Sequence, residues 1–250
     1  MSVPDVVDDT TRLAVRQRPP GPPVMYQTWS ELLFLHWSFE PDLIQASLPE
    51  GLTVDTHGGR AWAGVVPFFM RNVRPRGLPA VPWLSHFLEL NLRTYAVNAD
   101  GVPGVWFYSL DCNRWPAVKV ARGVFRLPYE HAEMSATLDS GRVRYRSVRR
   151  GETTPQRFEW RPRGETRTAE PGSLEFFLLE RYALFAPAGE GRFRVGRVHH
   201  PPYEFSGADA PVWDAGLFAL AGLPTPEGPP DHTAVCRGVD VEIFPLGPPA

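Results

Sequence analysis

Proline and glycine fill one position in five of this chain, 28 and 22 of 250 residues. Proline lacks a backbone N–H and disrupts helix interiors and central strands, and glycine weakens both. Long helices are therefore excluded, and short elements joined by frequent turns are expected, which favours a β-rich fold. The other residues, with 43% hydrophobic and 22% charged positions overall, describe a globular chain able to bury a core. The most apolar stretch, Ala61 to Met70, is about half the length of the roughly 18 apolar residues a membrane-spanning helix needs, and it contains Gly64 and Pro67. Met1 to Arg18 carries Asp5, Asp8 and Asp9 and no apolar h-region, so no secretory signal is read and a cytoplasmic location is expected. Cys112 and Cys236 make neither a disulfide framework nor a metal spacing and are expected to be reduced. A formal charge of −2 excludes a globally basic nucleic-acid binder.

Residues 1–23 end in Arg18-Pro19-Pro20-Gly21-Pro22-Pro23, which predicts a flexible proline-rich arm ahead of a single domain spanning 24–246. Glu40-Pro41-Asp42 opens a short helix, Ser173 caps a second, and a third is expected near Asp214 to Leu220. Strands are predicted at Ala61–Met70, Phe87–Val97, Val105–Asp111, Met134–Leu138, Arg142–Val148, Gln156–Trp160, Arg192–His199 and Val239–Phe244. Strands and helices do not alternate regularly, so the class is α+β, mainly antiparallel, as a barrel or a sandwich.

Period-two alternation is clearest in Phe87 to Tyr95. Leu88, Leu90 and Leu92 share one face, expected to pack beneath helices, and Glu89, Asn91 and Arg93 share the other. The polar face either meets water or, in a barrel, lines a small-molecule cavity in which Arg93 binds an anion. Trp115 to Arg126 reads as helix or strand. As a helix it lines up Lys119, the only lysine in the chain, with Arg122 and Arg126 on one basic face. That face is either solvated or one where neighbouring guanidinium groups lower the amine's pKa. Tyr129, Glu130 and His131 follow as candidate proton-transfer groups. Nine arginines against three glutamates between 142 and 167 form a basic surface, the solvent face of an edge hairpin or a site for an acidic partner. His199-His200 lacks the spacing that brings two imidazoles onto one metal, and no phosphate loop, nucleophile elbow or dinucleotide fingerprint is present.

Several motifs occur in a particular order: Leu33-Phe34-Leu35-His36-Trp37, Gly59 to Phe68, Glu89 to Tyr95, Ser109-Leu110-Asp111, Ala121-Arg122, Leu127-Pro128-Tyr129, Leu179-Glu180-Arg181-Tyr182 and His199-His200-Pro201. Over roughly 26 to 244 this order resembles the uncharacterised bacterial YqjF-like family of the acetoacetate decarboxylase-like superfamily. The resemblance implies a cone-shaped, mostly antiparallel β-barrel with a few short helices and an internal ligand cavity. In acetoacetate decarboxylases an aromatic-proline pair is followed by two lysines, the first of which forms a Schiff base. Here Tyr129 and Glu130 follow Pro128, so the resemblance implies the scaffold without the amine, and Lys119 lies too early in the chain to replace it.

The expected function is a cavity that binds a small polar or carboxylate-bearing molecule. Arg93, Arg122, Asn91 and His200 are the candidate binding residues, and Glu89, Tyr129 and His131 the candidate proton-transfer groups. No metal or cofactor is called for. The partner is a small molecule rather than nucleic acid or membrane, self-association is left open, and Lys119 is not expected to be an essential nucleophile. The alternative is a non-catalytic interaction domain that uses the 142–167 surface.

Overall fold

The computed structural model describes residues 7–114, 126–189 and 192–248. Thirteen strands form one continuous sheet. In chain order these are β1 (Met25–Phe39), β2 (Leu52–Val54), β3 (Thr56–His57), β4 (Arg60–Pro75), β5 (Phe87–Asn98), β6 (Pro103–Cys112), β7 (Tyr129–Asp139), β8 (Arg142–Arg149), β9 (Gln156–Arg167), β10 (Ala183–Gly189), β11 (Arg192–His199), β12 (Phe205–Val212) and β13 (His232–Ile243). Among the described residues four short helices accompany them: α1 (Asp9–Arg16), α2 (Pro41–Gln45), α3 (Leu174–Leu179) and α4 (Gly216–Leu220). All strand pairs are antiparallel except β6 with β7 and β6 with β10. This is the mainly antiparallel α+β architecture expected.

Five strands build a shared wall in the order β13-β1-β4-β5-β6. The wall closes twice. On one side β7, β8, β9 and β12 lead from β6 back to β13, and on the other β10 and β11 do the same. Because side chains alternate across a pleated strand, each wall strand contributes one face to each circuit. Leu88, Leu90 and Leu92 of β5 join Leu33 and Leu35 of β1 in a cluster with Val143, Tyr145, Phe158 and Trp160. Phe34, Val66, Phe68 and Tyr95 belong to a second cluster, with Val105, Phe177, Val198 and Val241.

Local chemistry explains the helices. Pro41 sits in the first turn of α2, where its missing N–H is not needed. The Ser173 hydroxyl accepts from the Phe176 N–H at 3.1 Å to cap α3. The three leucines of β5 share one cluster with Ile44 of α2 and Leu217 and Phe218 of α4, and with the aromatic residues Tyr145, Phe158 and Trp160 of β8 and β9.

Residues 7–18 differ from the flexible arm predicted. Asp8 caps α1 by accepting from the Thr11 N–H at 2.8 Å, and Arg12 is buried against Asp55 in a two-pronged ion pair at 2.6 and 2.8 Å. Arg18 pairs with Glu242. The prolines end the helix, but long-range ion pairs hold the segment before them against the sheet.

Candidate functional site

The smaller circuit encloses a cavity of about 350 Å³, within the range of small-molecule sites. Most of its wall is apolar, supplied by Trp29, Phe68, Phe107, Leu110, Val198 and Phe244 among others. Its charged and polar lining is concentrated in Glu89, Asn91, Arg93, Tyr129, Arg181 and Arg197. Glu89, Asn91 and Arg93 occupy alternate positions of β5, opposite Phe68, Val66 and Gly64 of β4.

Glu89 is only 2% exposed. The Tyr129 hydroxyl donates to its Oε2 at 3.0 Å. Burial pushes the carboxyl up to about 8, although hydrogen bonds from Tyr129 and Asn91 pull the other way. At neutral pH Glu89 is therefore largely a neutral acid. Burial also raises the Tyr129 hydroxyl well above its ordinary range, which keeps it a donor.

Arg93 is 9% exposed. Its Nη2 donates to the Leu178 carbonyl at 3.2 Å and to the Tyr95 hydroxyl at 3.4 Å, and the guanidinium lies 5.4 Å from the Phe34 ring centre. Its Nε has no partner, nor has Asn91 Oδ1. No carboxylate pairs with Arg93 among the described residues. A buried cation without a counter-ion is costly, so Arg93 is the group in this cavity most in need of an anion.

A rigid scaffold holds it in place. The Tyr95 hydroxyl donates to the Leu178 carbonyl at 2.8 Å and accordingly accepts from His36 Nε2, also at 2.8 Å. That leaves His36 Nδ1 to accept from His232 Nδ1, 3.1 Å away. Burial first, then the nearby His232 and Arg93, hold the His36 imidazole well below its ordinary range, so it stays neutral. Gly64 makes room for this ring, because a Cβ there would lie 2.4 Å from it.

Two further arginines line the cavity and reach α1. Arg181 donates to Asp55 Oδ2 at 2.8 Å and to the Phe177 carbonyl at 2.6 Å, leaving Nη2 unpartnered. Arg12 and Arg181 share Asp55, whose carboxyl they hold below the ordinary range against the opposing effect of burial. Arg197 donates to the carbonyls of Val15 and Gln17. The N-terminal segment therefore braces the cavity wall.

Over residues 26–240 the sequence matches the model of DUF2071, a family described as an uncharacterized conserved protein. The chain belongs to the DUF2071 family. A member from Bacillus subtilis (strain 168), the uncharacterized protein YqjF, is 36% identical over 230 residues, covering 91% of this chain and 93% of the relative. Among solved structures, the enduracididine biosynthesis enzyme MppR, complexed with the condensation product of pyruvate and imidazole 4-carboxaldehyde, superposes with a TM-score of 0.62 at 13% identity, covering 90% and 89% of the two chains. An acetoacetate decarboxylase-like enzyme from Sphingomonas wittichii RW1 gives a TM-score of 0.59 at 16% identity, covering 92% and 94%. At these identities the likeness establishes the fold, and this DUF2071 chain has the acetoacetate decarboxylase-like architecture.

Within it, the residues singled out from sequence separate. Glu89, Asn91, Arg93 and Tyr129 come together at the cavity. His131 is half-buried on β7 beside Cys112 of β6 and is not among the lining residues. His200 is also off the wall. Its Nδ1 donates to the Pro201 carbonyl at 2.7 Å, and its ring stacks 4.4 Å from Tyr182 and lies 4.6 Å from Tyr203. His200 is thus a packed aromatic whose imidazole burial brings down to about 4. Arg122 and Lys119 lie outside the described residues. Arg181, Arg197, Tyr95 and His36 do not stand out as site residues in the sequence. Two of the ordered motifs, Leu33 to Trp37 and Leu179 to Tyr182, contain His36 and Arg181 without indicating that a cavity connects them.

The basic surface is less basic than its composition suggests. Arg142 and Arg144 pair with Glu159, Arg161 with Asp209 and Arg167 with Glu175, and Arg149 turns inward onto Asp111 at 2.7 Å. Five of the nine arginines are thereby matched to carboxylates, three of which lie outside the 142–167 run. Much of the charge that would grip an acidic partner is thus already neutralised. Both cysteines are free and buried, with thiols pushed up to about 12 for Cys112 and about 11 for Cys236 by burial. Among the described residues no group of three or more His, Cys, Asp or Glu converges as a metal site would, and no helix is long and apolar enough to cross a membrane.

Proposed function

We propose that the cavity binds an organic acid, with its carboxylate on Arg93 and a carbonyl or hydroxyl oxygen on the Glu89–Tyr129 pair. The observation that carries this reading is Arg93, buried in an apolar chamber with an unpartnered Nε and, among the described residues, no carboxylate paired with it. A ligand carboxylate would supply the missing counter-charge through charge-assisted hydrogen bonds. Glu89, neutral near pH 7, would donate a proton to an oxygen that gains charge, and its conjugate base could recover that proton. MppR, a distant relative by fold, has been solved in complex with pyruvate. Pyruvate is a small oxo acid, so that complex supports an organic acid as the class of ligand for this cavity.

Isothermal titration calorimetry against a panel of carboxylates and 2-oxo acids tests the reading. Arg93→Met should weaken carboxylate binding at least about tenfold, whereas Glu89→Gln should keep it but remove any turnover. Unchanged affinity in Arg93→Met would overturn the assignment. Schiff-base chemistry is not part of the reading, since Tyr129 and Glu130 follow Pro128 where the acetoacetate decarboxylases carry two lysines. Borohydride treatment with acetoacetate or pyruvate should leave the protein mass unchanged, and an adduct on Lys119 would replace this reading with a covalent one.

A further inference from the structure

We infer that the ligand is an elongated acid with an apolar body, a medium-chain carboxylate rather than a compact, highly polar one. This rests on the reading of Arg93 as the carboxylate anchor and specifies what must lie beyond it.

The wall between the anchor and the far rim is long and greasy. From Arg93 to Phe87, β5 runs six residues, about 20 Å at roughly 3.3 Å per residue, and both ends of that run line the cavity. Along the facing β4 the lining side chains are Val66, Phe68, Met70 and Val73. A compact oxo acid held at Arg93 would leave most of this surface covered only by water, which an apolar wall does not favour. An alkyl chain would cover it.

The rim points the same way. The β4–β5 connection leaves the cavity wall at Val73 and Pro75 and returns to it at Leu84 and Phe87. Between them Leu78, Val81 and Trp83 stand 58%, 41% and 61% exposed. Large apolar side chains clustered on one loop are uncommon on a free surface and mark a contact or entry point for apolar material. The loop is thus continuous with the apolar lining, at the end of β5 opposite Arg93. Glu89 and Asn91 lie between the two ends, so a polar substituent partway along the chain would meet the Glu89–Tyr129 pair.

The test is a titration series on the wild-type protein with straight-chain acids from acetate to decanoate, each below its critical micelle concentration, with pyruvate and octan-1-ol as controls. Affinity should rise by up to about fourfold per added methylene, the equivalent of ~0.8 kcal/mol, until the cavity is filled. Octanoate should bind at least about tenfold more tightly than octan-1-ol, and Arg93→Met should erase that preference while leaving octan-1-ol unaffected. If pyruvate and acetate bind as tightly as octanoate, the elongated class is wrong and the organic-acid reading survives. If octanoate and octan-1-ol bind alike, or neither acid nor alcohol binds, the anchor itself is wrong and both readings fall.

Discussion

The two sides of the shared wall come from the same strands yet differ in kind. On one side Leu88, Leu90 and Leu92 meet Tyr145, Phe158 and Trp160 in a filled core. On the other, Glu89, Asn91 and Arg93 face a chamber of about 350 Å³. The closing strands make the difference. On the first side β8 and β9 bring Tyr145, Phe158 and Trp160 against the leucines, whereas β10 and β11 close the second and bring Ala183, Leu184, Gly196 and Val198 to the lining. Large side chains fill space and small ones leave it, so one sheet supplies both the stability of the domain and its site.

The sharpest way to break this comparison is to remove an aromatic from each side. Trp160→Ala should cost about 3–5 kcal/mol, the loss expected when a void opens in a close-packed core. Phe68→Ala only widens an existing hollow and should cost nearer to about 2 kcal/mol. Chemical denaturation of both variants measures the contrast, and equal losses would mean that the two sides are packed alike.

Next comes the brace on the cavity side. Arg12→Ala leaves the fully buried Asp55 with Arg181 alone and should cost about 3 kcal/mol. It should also make the segment before Pro19 sensitive to protease, where the wild type should resist cleavage. Because the folded-state carboxyl of Asp55 is held low, its contribution is complete above the unfolded value of about 4 and is lost as pH falls through the lower folded value. The Arg12 variant should therefore differ least from wild type in strong acid.

Glu89 behaves in the opposite sense. Its folded-state value near 8 lies above the unfolded value of about 4.3, so the folded protein holds the extra proton between those limits. Stability then declines as pH rises through that window, by up to about 1.4 kcal/mol per unit. Glu89→Gln should flatten the decline and exceed wild type by roughly 2–3 kcal/mol at pH 8, read from unfolding curves at pH 5 and pH 8. Parallel wild-type and variant curves would show that Glu89 ionises normally.

The smallest effect on stability is expected at Arg93. Arg93→Met removes a buried charge that no carboxylate among the described residues pairs with, along with two hydrogen bonds, and the net change should stay within about 1 kcal/mol while carboxylate affinity falls at least about tenfold. A large destabilisation with unchanged affinity would make Arg93 a structural residue and remove the functional distinction between the two sides.

Much of β5 is legible because its alternation is a local property of the chain. Three leucines at even positions and three polar residues at odd ones define two faces whatever the partner strands are. β1 is harder to read, since Leu32 to Trp37 is buried throughout and apolar but for His36, which erases the alternation. The docking of the N-terminal helix is hidden because its partners are remote in sequence. Arg12 and Asp55 are 43 residues apart, and Arg181 and Asp55 are 126 apart. His200 shows the converse difficulty, since an imidazole that suggests chemistry is packed between two tyrosines.

By itself, then, the sequence determined the class of fold, the two faces of β5 and the presence of a carboxyl, an amide and a guanidinium on one of them. Proline content and the pleat act over a few residues and need no partner to be read. Only the tertiary structure decided that this polar face lines a hollow rather than meeting water, that burial raises the Glu89 carboxyl, that no carboxylate among the described residues pairs with Arg93, and that α1 braces the wall. Each of those depends on burial, and burial is set by which distant strands close the circuit and how much of the enclosed volume their side chains fill.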